Sequence, residues 1–176
     1  MPSLQSLDTE VFAIATILHD LGWAPITSPI ISKDKRFEVD GANAARDFLT
    51  REGDPKEWDD RRLQLVWDAI ALHSSASIAA YKEKEVQAAM FGITLDFRGP
   101  EKSPGGILTR EIWDAAAKEF PRKGLREGVK EVMCGLCTEK PATTWDNFVG
   151  AFGVKFVDGY SLEGKGVVDI IMGTEE

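Results

Sequence analysis

Apolar residues recur every three or four positions along most of this chain, which is the spacing of one face of an α-helix. The pattern is strongest in residues 8–21, where Val11, Phe12, Ile14 and their apolar neighbours surround most of the helix. Such a helix is predicted to lie in the middle of a core. No convincing run of alternating residues indicates strands, so the predicted fold class is all-α. The predicted helices span 8–21, 37–50, 55–73, 81–97, 109–120, 121–137 and 143–152, and a short apolar segment at 167–172 is expected to pack on the body.

Capping residues predict where several helices begin or end. Asp8 and Asp54 precede helical patterns and can accept hydrogen bonds from the free N–H groups of a first turn. Thr143 is predicted to cap the last helix, with Asp146 at its third position. Gly22 is expected to end the first helix, because glycine adopts the left-handed conformation that often follows a helix.

That first helix carries the most unusual side chains, His19 and Asp20, at the end of an apolar run. Burial of a carboxylate costs roughly several kcal/mol unless a cation or strong hydrogen-bond donors compensate. The C-terminal end of a helix also favours a cation. A divalent metal facing a cavity at this helix end would satisfy both groups. A core histidine that simply bonds to its neighbour explains the dipeptide as well, and the two residues alone leave both readings open.

Length, composition and charge limit the classes of protein to which this chain can belong. The 176 residues, 43% of them hydrophobic, can fill one core, so we expect a single domain over 1–176, with its central part at about 5–100 and a helical extension at about 105–176. A net charge of −8 disfavours nucleic acid and anionic membrane surfaces as partners. No apolar run is long enough to cross a bilayer, and the N-terminus lacks a basic, apolar leader. A soluble cytoplasmic protein with a small-molecule substrate is therefore expected.

The only cysteines, Cys134 and Cys137, are spaced as Cys-Gly-Leu-Cys. A four-ligand zinc site needs further ligands nearby, and the only histidines, His19 and His73, are far away in sequence. A redox pair is conceivable, but the surrounding pattern is helical. We therefore expect two reduced, partly buried thiols.

Three further features are candidates for a site near His19. The loop from Trp23 to Arg36 leaves the same helix end and can form a pocket wall. His73 lies seven residues after Val66, so both are expected on one helical face. Asp96 stands near the end of the helix predicted at 81–97 and repeats the situation of Asp20.

Four segments together resemble the HD-domain metal-dependent hydrolase superfamily. They are Ile-Leu-His-Asp-Leu-Gly at 17–22, Arg-Phe-Glu-Val-Asp-Gly-Ala at 36–42, Ala-Ile-Ala-Leu-His at 69–73 and Gly-Ile-Thr-Leu-Asp at 92–96. The resemblance covers about residues 5–150, and the Phe37-Glu38 segment is most similar to the fungal cyanamide hydratase-like group. It implies an HD-domain-like helical bundle.

The resemblance implies a divalent metal, Zn or alternatively Fe or Mn, held by His19, Asp20 and Asp96, with His73 as a possible additional ligand. The family also places a first ligand His on a helix about two to three dozen residues before the His-Asp pair, whereas no His occurs among the eighteen residues before His19. That helix is therefore expected to be missing here. Glu38 is expected to be a structural or pocket-lining residue rather than a ligand, and a second metal is not expected.

The activity implied is that of a hydrolase or hydratase in which the metal lowers the pKa of a water molecule. Asp20 would orient the water or accept its proton. A small neutral, cyanamide-like substrate needs a tight apolar pocket, which Trp23, Phe37 and Ile70 could supply.

Two alternatives remain at this stage. The first is a phosphohydrolase, for which the candidate cations are Lys33, Lys35, Arg36 and Arg98. The second is a non-catalytic helical scaffold that lost the ligand-bearing helix and binds a partner or itself through the apolar groove left behind.

Overall fold

The computed structural model describes residues 7–174, which form helices joined by loops and contain no strand. The predicted all-α class is confirmed. No helix in this range is long and apolar enough to span a membrane. The α-helices are α1 (Thr9–Leu18), α2 (Phe37–Glu52), α3 (Asp60–Ala71), α4 (Ala76–Ala79), α5 (Lys84–Arg98), α6 (Arg110–Glu119), α7 (Leu125–Glu139), α8 (Val149–Phe156) and α9 (Val167–Met172). Short 3-10 helices cover Leu21–Trp23, Pro100–Lys102, Pro104–Gly106 and Pro141–Thr144.

The chain divides into two compact units. The first contains the described residues up to 31 together with 37–122, and the second contains 32–36 together with the described residues from 123 onward. The division therefore falls after Arg122, about twenty residues later than the predicted start of the extension, and a short loop belongs to the second unit.

The core of the first unit forms where α1, α2, α3 and α5 pack together. Val11 and Ala15 of α1 are almost completely buried, as are Val66 and Ile70 of α3 and Val86 of α5. The small residues predicted to allow close helix approach, Ala42 and Ala45 of α2, are fully buried. These contacts hold the C-terminal ends of α1 and α3 near the start of α2.

Helix α1 is not covered on all sides, so the prediction of a central helix is wrong in part. Ile17 is 77% exposed and Ala13 is also exposed. Within the first unit α1 packs against α3, α5 and, more lightly, α2, and these neighbours cover one side of it. The apolar pattern showed that α1 could be buried all round, but burial depends on how many helices surround it.

Several predicted helix starts are also wrong, among them that of α7, which begins at Leu125 and not at residue 121. Helix α3 begins at Asp60, where Asp59 accepts a hydrogen bond from the Arg62 N–H, while Asp54 accepts one from the Lys56 N–H in a preceding turn. That turn places Trp58 in the core with 8% of its surface exposed, which a continuous helix from residue 55 would prevent.

In the second unit the helix predicted at 143–152 starts instead at Val149, after the 3-10 helix Pro141–Thr144. The Asn147 side chain accepts a hydrogen bond from the Val149 N–H at 3.1 Å, and the N-cap residue is Phe148, so Thr143 does not cap this helix. The Cys137 thiol donates to the Val149 carbonyl at 3.4 Å and joins α7 to α8.

A buried lysine holds the short loop of the second unit. Lys140 is 2% exposed, and its Nζ donates to the carbonyl oxygens of Lys35 at 3.0 Å and Ser32 at 3.4 Å. The ammonium group is therefore satisfied by backbone oxygens, which belong to a loop without regular structure.

The segment predicted to pack on the body forms α9, and its side chains are exposed. Val167, Val168, Ile170, Ile171 and Met172 are each 62–77% accessible to solvent. The expectation of packing was therefore wrong for these side chains. The helix is short, and Asp169 caps it by accepting a hydrogen bond from the Gly166 N–H at 3.0 Å.

Candidate functional site at the end of the first helix

The turn that follows α1 is packed closely against the start of α2. Helix α1 ends at Leu18, His19 is its C-cap, and the 3-10 helix Leu21–Trp23 follows. A Cβ atom on Gly22 would lie 1.9 Å from the Phe37 carbonyl oxygen, so only glycine fits there. Gly22 therefore does not end α1 as predicted, but allows the chain after Asp20 to contact α2.

His19 and Asp20 form a pair in which one nitrogen of the imidazole is already committed. The Nδ1–H of His19 donates to the Thr16 carbonyl at 2.7 Å, because a carbonyl can only accept. The other nitrogen, Nε2, lies 3.0 Å from Asp20 Oδ2. Burial favours the neutral ring, but the hydrogen bond and charge of Asp20 outweigh it and raise the pKa of His19.

The pair is half-buried rather than fully buried as predicted, with 23% of the His19 and 31% of the Asp20 side chain exposed. The two oxygens of Asp20 differ. Oδ2 faces His19, whereas Oδ1 is buried and has no hydrogen-bond partner among residues 7–174. A buried carboxylate oxygen without a donor is costly, and such groups often mark an ion or ligand site.

His73 lies against His19, so the structure brings the two histidines together. Their ring centroids are 5.2 Å apart in an edge-on arrangement. The Nδ1–H of His73 donates to the Ile70 carbonyl at 2.7 Å, which repeats the bond between His19 and Thr16. His73 is only 6% exposed, and this burial, together with the charge of His19, lowers its pKa. At neutral pH His73 is therefore an uncharged ring whose Nε2 lone pair is not used by Ile70.

The bonds from Nδ1 to carbonyl oxygens have a cause that sequence reasoning missed. Thr16 and Ile70 each lie in the last turn of a helix, where the final carbonyl groups have no partner within the helix. A histidine three residues later can bond to such a carbonyl. The signal was present in both segments as a histidine just beyond the last apolar residues of a helix.

Glu38 and Asp40 line the first turn of α2 and are both buried, with 0% and 3% of their surfaces exposed. Glu38 accepts a short hydrogen bond from the Ser74 hydroxyl, directly after His73 in the chain. The charge of Glu38 partly opposes the lowering of the His73 pKa. Ser74 was not singled out by the sequence, because nothing in it indicated a buried acceptor for its hydroxyl.

Aromatic rings close one side of this group. The Phe37 ring lies 5.7 Å from the His73 ring, and the Trp23 ring lies 6.2 Å from Phe37. Trp23 Nε1 is buried and has no hydrogen-bond partner in the part of the chain that the structure describes. Ile70, the third residue predicted to line a pocket, is fully buried in the core.

Asp96 does not repeat the situation of Asp20. Its side chain is exposed and accepts hydrogen bonds from Nε of Arg122, at 2.8 Å, and from Nη2 of the same guanidinium group. That guanidinium group also lies 4.3 Å over the Trp113 ring. Because Arg122 is 26 residues away, the helix-end position of Asp96 gave no indication of this pairing.

The donors present fit a metal only in part. His19 Nε2 and the Asp20 carboxylate are chemically suitable ligands. The hydrogen bond from His19 Nδ1 to the Thr16 carbonyl is the kind of support that metal-binding histidines usually have. In the described range 7–174, however, no group of three or more His, Cys, Asp or Glu side chains is placed to hold a metal ion. The implied ligand set of His19, Asp20 and Asp96 is thus not assembled. Cys134 and Cys137 are free thiols in the second unit.

Comparison with known proteins adds no relative. No family model matches the chain, and neither a curated protein nor a solved structure matches it.

Proposed function

We propose that this chain is an HD-domain-like protein that binds a divalent cation at His19 and Asp20 and acts on a small neutral molecule. The reaction class would be hydration or hydrolysis, as in the cyanamide hydratase-like group that its sequence segments resemble. Zn is the first expectation for the cation, with Fe or Mn as alternatives.

One observation carries the proposal, namely the unpartnered Asp20 Oδ1 beside the His19 ring. The Thr16 carbonyl holds Nδ1, so Nε2 is the nitrogen available for a cation. His19 and Asp20 would hold the cation, which would give Oδ1 a partner and take the place of the proton that Asp20 stabilises on His19. His73 is a further candidate donor, since its ring packs edge-on against His19 and Ile70 engages only its Nδ1.

The surrounding residues have separate roles in this proposal. When bound, a cation would lower the pKa of a water molecule toward neutrality. Asp20 would orient that water or accept its proton through a carboxylate oxygen. Phe37 and Trp23 would exclude bulk water and favour an uncharged substrate, because neither side chain offers a cation to an anionic group. The hydrogen bond between the buried Glu38 and the half-buried Ser74 would hold the chain after α3, and with it His73, in place.

Metal content provides the direct test. We expect protein purified without chelator, or reconstituted with Zn, Fe(II) or Mn, to retain at least about half an equivalent of metal after desalting. Asp20→Asn and His19→Gln should each lower that content several-fold. Asp34→Asn removes an exposed carboxylate of the second unit and serves as the matched control. Less than about a tenth of an equivalent in the parent protein after reconstitution would contradict the proposal.

An activity assay follows for any protein that retains metal. Cyanamide and other small nitriles would be supplied, and the amide product measured. Turnover should disappear in Asp20→Asn and persist in Asp34→Asn. Retention of metal without turnover of any of these substrates would contradict the reaction class while leaving the cation site intact.

A second candidate function is a non-catalytic helical scaffold. It is favoured by Asp96, which pairs with Arg122, and by the lack of a three-ligand group in the described range. The exposed side of α1 at Ala13 and Ile17 is the surface that such a scaffold would offer. Absence of metal binding together with unchanged stability in Asp20→Asn would favour this function over the first.

A further inference from the structure

The second unit carries an unusual amount of exposed apolar surface for its size. On α9 five of the six side chains are apolar and exposed, and the sixth is the capping Asp169. On and beside α8, Phe148, Val154 and Phe156 are 43–57% exposed. We call these eight residues the α8–α9 surface: Phe148, Val154, Phe156, Val167, Val168, Ile170, Ile171 and Met172.

The chain between α8 and α9 packs back on the start of α8. The chain folds back from α8, so that Tyr160 and Leu162 contact Gly150, and a Cβ on Gly150 would lie 3.3 Å from the Tyr160 hydroxyl. Lys165 then lies 4.8 Å over the Trp145 ring, three residues before Phe148. Because α9 starts two residues after Lys165, it begins near the N-terminal end of α8.

Charge distinguishes the second unit from the first. The sequence of the second unit has nine Lys or Arg and ten Asp or Glu residues, a formal charge of −1, whereas the first unit has twelve and nineteen, a formal charge of −7. Two copies of the second unit can therefore approach each other with little repulsion. Two copies of the first unit would repel each other, since like charges oppose association.

The apolar area that the α8–α9 surface offers is close to the area that a stable dimer interface buries. If each of the eight side chains buries roughly 80–100 Å², one copy contributes about 600–800 Å², close to the about 800 Å² per partner of a standard interface. Monomeric proteins rarely leave such a patch uncovered. The Lys130 and Lys155 ammonium groups lie 4.7 and 5.3 Å from the Phe156 ring, so the apolar surface has a charged rim, as interfaces usually do.

A membrane is a poorer occupant than a second copy. Helix α9 has six residues and one acidic side chain but no basic one, so it lacks the cationic face of helices that bind anionic lipid surfaces. A second copy supplies the same apolar surface in return, and two-fold symmetric contacts require that kind of self-complementarity.

We propose that the α8–α9 surface is a homodimer interface, in which this surface on one copy packs against the same surface on a second copy. The aromatic series of Phe148, Phe152 and Phe156, with successive ring centroids 6.4 and 6.2 Å apart, provides a rigid face for the partner's α9. This inference does not depend on the cation site.

Sedimentation velocity and light scattering over about 1–200 μM protein test the inference, with the 19.4 kDa chain as the monomer reference. We expect a species of twice that mass in the parent protein. Val168→Glu combined with Ile171→Glu should raise the dissociation constant at least about tenfold, because a carboxylate would be buried in the interface. The milder double variant, Val168→Ser with Ile171→Ser, should also raise the dissociation constant. Circular dichroism would check that each variant retains the helical content of the parent.

Ile112→Glu is the matched control. Ile112 is 55% exposed on α6 in the first unit, so this variant adds one carboxylate, where the double variant adds two, to an exposed isoleucine outside the α8–α9 surface. We expect it to dimerise as the parent does. A parent protein that stays monomeric up to the highest concentration, a dimer that survives both α9 double variants, or equal dissociation of Ile112→Glu would each overturn the inference. Association only with lipid vesicles or with a different protein would also overturn it.

Discussion

At the scale of single residues, Asp20 is notable because its Oδ1 is buried without a hydrogen-bond partner among the described residues. The sequence predicted correctly that His19 and Asp20 would stand at a helix end and that His73 could lie near them. It could not predict that Asp96 would be bound by Arg122, because that contact depends on how residues 26 positions apart are packed. The position of a residue in a helix follows from local pattern, whereas its partners across helices do not.

Asp20→Asn separates the two functions proposed above. If a cation binds, saturating Zn or Mn should stabilise the parent by several kcal/mol, and the variant much less. If none binds, the variant loses only a half-exposed pairing with His19, and its stability should stay within about 1 kcal/mol of the parent. Thermal unfolding of both proteins with and without metal measures the difference. A variant that responds to metal as strongly as the parent would show that Asp20 is not a ligand.

Asp8 should give the protein part of its pH dependence. Burial raises its pKa, but the hydrogen bonds from Arg62, at 2.8 and 3.1 Å, and from the Val11 N–H prevail and lower it below 3.8. A carboxyl group whose pKa is lowered in the folded state stabilises the fold above its unfolded pKa, and that contribution is lost as the pH falls through the lowered value.

Asp8→Asn should therefore be less stable than the parent at about pH 7, and the difference should shrink toward zero at about pH 2–3. Urea unfolding at both pH values measures this change. Asp60→Asn, on an exposed residue at the start of α3, is the control. A difference between Asp8→Asn and the parent that grows on acidification would contradict the assignment.

At the scale of helices, the contact between the 3-10 turn and α2 depends on Gly22. An added Cβ would clash with backbone at 1.9 Å, so Gly22→Ala should destabilise the protein by roughly 3 kcal/mol or more. Gly92→Ala provides a contrast, because nothing lies within 4 Å of a Cβ added there and Gly92 is inside α5. That change should stabilise the helix by roughly 0.5–1 kcal/mol. Chemical denaturation of both variants measures the effects, and similar destabilisation in each would contradict the packing argument.

The helices themselves show where sequence pattern was sufficient. The spacing of apolar residues predicted α2 and α6 to within two residues at each end, although it did not indicate that Thr109 caps α6 by accepting from the Ile112 N–H. It failed at the starts of α3, α7 and α8: α3 begins after the buried Trp58, α7 begins at Leu125, and α8 begins at Val149, whose N–H donates to the Asn147 side chain. Tertiary contacts decided those ends, and a local pattern does not contain them.

At the scale of the whole molecule, the charge of −8 opposes self-association while the α8–α9 surface favours it. Because salt screens long-range repulsion more than apolar contact, the dimer should tighten as NaCl rises from about 20 to 500 mM. Sedimentation equilibrium at several salt concentrations measures this, and a lower pH near the isoelectric point of about 4.9 should act in the same direction. A dimer that dissociates with added salt would indicate an interface held by ion pairs.

The buried ammonium group of Lys140 makes it possible to measure how often the second unit opens. An amine-acylating reagent modifies lysines whose nitrogen it can reach, and Lys140 is 2% exposed with its Nζ bound by the carbonyl oxygens of Ser32 and Lys35. Acylation of this residue therefore requires the second unit to open, while Lys33, which is exposed, reacts in the folded protein. The rate at which mass spectrometry finds Lys140 labelled would thus report the opening frequency of the second unit alone.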